Sequence, residues 1–167
     1  MSSKIETALL ALVGALADSA ALENAALIAP LRNEDLVSRL VDAGDGLAKY
    51  LNVLDGDRAD PEEMLGTDFA SVTGYDIVWH ARIEFAVAGG TSSAREAAFD
   101  AMRTAIWDAI KPVVAGGSVT YLGGAVDSLR LVDMLPPDKS TVAQAGLPNV
   151  KASDFVVELT FTSDRPF

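Results

Sequence analysis

Tyr75-Asp76-Ile77-Val78-Trp79-His80-Ala81-Arg82-Ile83-Glu84-Phe85-Ala86-Val87 divides its side chains between two faces. Tyr75, Ile77, Trp79, Ala81, Ile83, Phe85 and Val87 fall on one face; Asp76, His80, Arg82 and Glu84 fall on the other. Side chains alternate along a strand, so this spacing predicts a half-buried strand with one face on a core. Gly89-Gly90 breaks the pattern, and Thr91, Ser92 or Ser93 is placed to cap a helix running to about Lys111. Ala98, Met102, Ala105, Ile106, Ala109 and Ile110 form its apolar stripe, with Arg95, Glu96, Asp100, Arg103 and Asp108 mostly off it. Pro112 stops the helix. A strand, a tight turn and an amphipathic helix in succession point to an α+β fold.

Upstream, Ser2 or Ser3 can cap a first helix reaching Asp18, with Leu9, Leu12, Val13 and Leu16 at helical spacing. The apolar run Ala8–Ala17 follows Lys4, but Glu6 and Asp18 bracket it. It is too short to span a bilayer and reads as an amphipathic helix, so no membrane partner is expected. Residues 25–32 read as extended, with Pro30 arguing for an edge position. Asn33-Glu34-Asp35 opens a short helical stretch through Val41. Leu47–Leu54 reads as a strand closed by Asp55-Gly56-Asp57.

Two long loops are expected at Asp57–Val72 and Pro136–Val150. Residues 113–124, with Gly pairs at 116–117 and 123–124, read as a loop with a short extended piece around Tyr121. Ala125–Met134 and Ser153–Thr162 read as the last two strands. The sum is a mostly antiparallel sheet of four to five strands, with one long and one N-terminal helix packed on it and long loops. Residues 1–167 are read as one domain.

The 167 residues are half hydrophobic, and their mean hydropathy of +0.25 is too apolar for a disordered chain. No cysteine is present, which excludes disulfides, thiolate nucleophiles and cysteine-based zinc or iron–sulfur centres. Twenty-four acids against thirteen bases give a net charge of −11, so the overall field does not draw the chain to nucleic acid.

Few residues carry chemistry. His80 is the one histidine and sits mid-strand beside Arg82 and Glu84, without a Gly-x-Ser-x-Gly elbow to supply a nucleophile. Asp55, Asp57, Asp60, Glu62 and Glu63 form an acidic run. Counted from Asp55, an EF-hand needs Gly sixth and Glu twelfth, where Asp60 and Gly66 stand. Neither a phosphate-cradling glycine motif nor basic residues interleaved with aromatics occurs. Trp79 and Trp107 read as core residues. No cofactor, metal or catalytic residue is therefore expected, and surfaces are expected to do the work.

Five segments together carry a resemblance: Leu31-Arg32-Asn33-Glu34, Val53-Leu54-Asp55-Gly56-Asp57, Tyr75–Val87, Ala94–Arg103, and Lys151–Thr162. In this order, after an N-terminal helix, they resemble the tail terminator (tail completion) proteins of long-tailed phages, closest to the versions of gene transfer agents and their phage relatives. The chain departs from that family between Asp35 and Ala48, where Leu36–Val41 is helix-prone instead of Pro-rich and extended.

The resemblance implies a non-enzymatic virion protein that forms a ring, usually a homo-hexamer. Such a ring caps the completed tail tube and meets a head-side connector or stopper protein. DNA transits its lumen without sequence-specific binding, and acidity suits that lumen by repelling phosphates. Its place would be the head-proximal end of the virion tail, with host cytoplasm as the site of assembly. Arg32, Asn33, Glu34, Arg82 and Glu84 are the interface candidates, and the two long loops are candidates for axial contacts. The alternatives are another head–tail connector or a tail-tube subunit. A small α+β enzyme or ligand-binding domain would instead have to use His80 or the acidic run.

Overall fold

The computed structural model describes residues 3–25, 31–41, 46–58, 75–135, 147 and 149–163. Helices α1 (Lys4–Ala17), α2 (Ala20–Ala25), α3 (Leu36–Val41) and α4 (Ser92–Ile110) are joined with strands β1 (Leu31–Arg32), β2 (Ala48–Arg58), β3 (Tyr75–Ala88), β4 (Val113–Ala115), β5 (Ser118–Thr120), β6 (Ser128–Leu135) and β7 (Val150–Ser163). The main sheet has the order β1-β2-β3-β7-β6. All its pairings are antiparallel except the two-residue β1, which runs parallel to β2. The fold is α+β, with a mostly antiparallel sheet.

The alternation in β3 does what its spacing predicts. Ile77, Ala81, Ile83, Phe85 and Val87 are buried on one face, joined by Phe155, Val157, Leu159 and Phe161 of β7. Alpha-helices α1 and α4 cover that face with Ala8, Leu9, Leu12, Leu16, Ala98, Phe99, Met102, Ala105, Ile106 and Ile110. The caps are side-chain caps: the Ser3 hydroxyl accepts from Glu6 N–H at 3.1 Å, and the Thr91 hydroxyl accepts from Ala94 N–H at 3.2 Å. At the centre of the core Phe85 stacks between Phe99 and Phe155, with ring centroids 4.9 and 5.2 Å apart.

The opposite face is charged near one end and apolar near the other. Helix α3 packs Leu36 and Leu40 against Tyr50, Ala86, Ala88 and Ala152, forming a second, smaller cluster. The small residues on that part of the sheet let the helix approach closely. Glu84, expected on a charged outer face, is buried.

Several expectations need correction. Residues 20–25 form α2, where no helix was predicted; of the extended segment, 26–30 lie outside the described residues, and Leu31 and Arg32 pair into the sheet, at its edge as expected. Asp55-Gly56-Asp57 does not close β2; it carries the strand through a bulge to Arg58. Residues 113–120 are a hairpin and not a loop, with a single 3-10 turn following at Leu122–Gly124. Trp107 is 43% exposed instead of buried. Trp79 is half-buried against the core, and its indole N–H donates to the Asp55 carbonyl. Of the two predicted loops, 59–72 and nearly all of 136–148 lie outside the described residues, while Asp57 and Arg58 belong to β2 and Val150 to β7.

Candidate functional site

The parallel pairing of β1 with β2 sets Leu31 against Asn52 and Arg32 against Val53. That register brings Arg32 to two carboxylates at once. Its Nη1 and Nη2 donate to Glu6 Oε1 and Oε2 at 2.8 and 2.6 Å, while Nε and Nη2 donate to Asp55 Oδ1 and Oδ2 at 2.7 and 3.0 Å. A planar guanidinium suits such forked pairing, which ties α1, β1 and β2 together. The hydrogen bonds from Arg32 hold both carboxyls below their ordinary values of 4.5 for Glu6 and 3.8 for Asp55. The two carboxylates in turn push the Arg32 guanidinium further up.

A pH dependence follows from those directions. A carboxyl held low in the folded state adds stability above its unfolded value, and that stability is lost as pH falls through the folded value. Arg32→Met should therefore lower the denaturant midpoint at pH 7, and the gap to the parent chain should shrink toward pH 3. A gap of the same size at both pH values would show that Arg32 acts by packing alone.

Asn33 adopts φ +53°, a left-handed conformation that Asn tolerates better than most residues. There its amide oxygen accepts from Asp55 N–H at 2.9 Å, and its own N–H donates to the Val53 carbonyl at 2.9 Å. Asn52, fully buried, reaches the other way. Its Nδ2 donates to the Glu34 carbonyl and to Glu84 Oε2, both at 2.9 Å, and its Oδ1 accepts from Glu34 N–H at 3.3 Å.

Glu84 pairs across strands with Asn52 on one side and Asp154 on the other, and both of these are buried. Arg82 Nη1 lies 3.8 Å from Asp154 Oδ2. The structure thus gathers Arg32, Asn33, Glu34, Arg82 and Glu84 into one region around Asn52, Asp55 and Asp154. Glu34 keeps an exposed side chain and Arg82 a half-exposed one; Arg32, Asn33 and Glu84 commit polar atoms to contacts within the chain. Such a network fixes strand register, because a slipped pairing would bury these groups without partners. Asn52 is the member that sequence reasoning missed. A lone amide inside the apolar run Tyr50–Leu54 was the available sign.

Lower on the same face, His80 Nε2 lies 3.2 Å from Glu158 Oε2, and Arg130 Nη2 approaches the same oxygen at 3.1 Å. Burial pushes the Glu158 carboxyl up, but the hydrogen bonds from Arg130 and His80 outweigh it and leave it below the ordinary range. The group links β3, β7 and β6 across the sheet.

Two further surfaces carry exposed apolar residues. The β4–β5 hairpin turns at Gly116-Gly117, whose φ values of +57° and +81° match a two-residue type I′ turn. All six strand residues of the hairpin are exposed. A Cβ added at either glycine would meet nothing within 4 Å, so the tip stands clear of the body. Val114 and Val119 sit directly opposite each other and so share one hairpin face; Val114 is 71% exposed. Strand β6 is the other surface. Among the described residues no strand pairs with its outer edge, and Val132 occupies a bulge between the Leu131–Val157 and Asp133–Val156 pairs. Val132 is 45% exposed, and Met134 beyond it is also exposed.

No protein-family model matches the chain, and no curated protein does.

Proposed function

We propose that the chain is a structural assembly subunit that closes into a homo-oligomeric ring of the tail-terminator kind. In that reading the ring caps a completed tail tube and meets a head-side connector, with DNA passing through its lumen. The observation that carries the proposal is a pair of unlike exposed surfaces on one acidic subunit: an uncharged hairpin clear of the body, and a sheet edge left unpaired among the described residues, with exposed Val132 and Met134. Unlike surfaces make head-to-tail contacts, and such contacts give a closed ring when the rotation per subunit divides the circle. The resemblance of the five segments quoted above supports the same reading and supplies its biological setting. The net charge of −11 supports it as well, since a lumen that repels phosphate lets DNA slide.

Light scattering across a concentration series tests the proposal. The expected result is a discrete species near six times the 17.5 kDa subunit mass, unchanged as concentration rises. Masses that grow without limit would instead identify a tube-like polymer. A chain that stays monomeric and also fails to bind tail-tube protein would overturn the reading.

A further inference from the structure

The geometry points to the contact that builds the assembly: the β4–β5 hairpin of one copy docks along the open β6 edge of a second copy and extends its sheet. The inference rests on the ring reading above and names the partner surface within it.

Charge selects the occupant. No charged residue lies between Lys111 and Asp127, a span that contains the whole hairpin, in a chain of net charge −11. Two copies of so acidic a subunit repel each other over most of their surface, and an uncharged arm is where they can meet at least cost.

Edge chemistry gives the second argument. Exposed strands in monomers are commonly blunted by charge, proline or cover. Here neither three-residue strand carries any of these, and a two-stranded hairpin alone is marginally stable in water. Pairing with another sheet satisfies its free backbone groups, and among the described residues β6 offers such groups on an edge that carries exposed Val132 and Met134 beside charged Arg130 and Asp133.

Connectivity supplies the third. The hairpin forms its own two-stranded sheet and does not pair with the β6 of its own chain, although that strand follows closely in sequence. Among the described residues, donor and acceptor therefore remain available on the same subunit. One hairpin given and one edge accepted per copy is the head-to-tail arrangement that a closed ring needs.

The absence of native cysteine makes the test direct. Val119→Cys and Val132→Cys are prepared as separate single variants, mixed in equal amounts at assembling concentration and oxidised. A disulfide between copies requires the two Cβ atoms to approach within about 4.5 Å. The expected product is predominantly the mixed dimer, because each variant alone lacks its partner thiol.

The companion variant Val114→Lys should keep the parent unfolding temperature, since the side chain touches no core. It should raise the concentration needed for assembly by about tenfold or more, the cost of desolvating one charge in the contact. If wild-type chains assemble to a discrete ring, yet Val114→Lys assembles normally and no mixed dimer forms, the hairpin inference fails and the ring reading stands. Predominant Val119→Cys homodimers would also overturn it, by showing a two-fold contact. Wild-type chains that stay monomeric and fail to bind tail-tube protein, with no mixed dimer from the cysteine variants, overturn both.

Discussion

Gly56→Ala is expected to destabilise the chain by about 3 kcal/mol or more, among the larger single-residue effects. Two costs combine at this site. Gly56 has φ +72°, where an L side chain is strained by roughly 1–2 kcal/mol. A Cβ there would also sit 1.7 Å from the His80 carbonyl oxygen and 2.8 Å from its carbon. Both neighbours are backbone of the central strand β3, so no flexible side chain can swing away. The clash falls at the bulge between the Leu54–Arg82 and Asp57–His80 pairs, where β2 bends around β3.

Gly117→Ala is the matched control. Gly117 has φ +81°, but a Cβ there would meet nothing within 4 Å, so only the conformational cost applies. Chemical denaturation of the two variants separates steric overlap from backbone strain. Equal losses would show that β2 and β3 can part without penalty, contrary to the packing described.

Phe85→Ala is the second large effect, expected to cost about 3–5 kcal/mol. The ring is fully buried and stacks on Phe99 from α4 and Phe155 from β7, so its removal opens a void where the helix layer meets the sheet. Aromatic pairs add roughly 0.5–1.5 kcal/mol beyond burial, and two are lost here. For a chain of this length the melting temperature should fall by about 6–20 °C. Phe85→Leu keeps most of the volume but loses both stacked pairs, so it should cost about 1–3 kcal/mol, less than Phe85→Ala. A Phe85→Ala loss near 1 kcal/mol would mean that the layers collapse to fill the space.

The fold was legible where one periodicity ran long enough to dominate. Beta-strand β3 alternates apolar and polar residues from Trp79 to Phe85 because both neighbouring strands share its inner face, and α4 shows its stripe because one side alone meets the sheet. Short elements escaped detection. Strands of three residues in the hairpin carry no measurable alternation, and Gly116-Gly117 reads as a loop until both residues are seen at positive φ. Trp107 was misplaced by its chemistry. Its position four residues after Arg103 and beside Asp108 puts it off the stripe, which already marked it as exposed. Glu84 was misplaced for the opposite reason. The change on that face from charged residues to Ala86 and Ala88 was the sign that a helix covers it. The candidate residues were named singly, and their convergence on Asn52 and Asp55 depended on a parallel register between strands some twenty residues apart, which no local pattern encodes.

The position of β7 sets the timing of folding. It is the last described strand in the chain, yet it lies inside the sheet, paired along its length with β3 and flanked by β6. Tyr75 must find Ser163, and Ala88 must find Val150, so the central pairing closes over a wide sequence separation. Closure entropy for such distant pairings is paid before their contacts form, which slows folding relative to locally connected domains. During synthesis β2, β3 and α4 leave the ribosome well before β7. Until it arrives, β3 presents a long unpaired edge, apolar on one face, with no neighbour on one side. That interval, not the finished surface, is when a nascent chain is most exposed to mispairing with other copies.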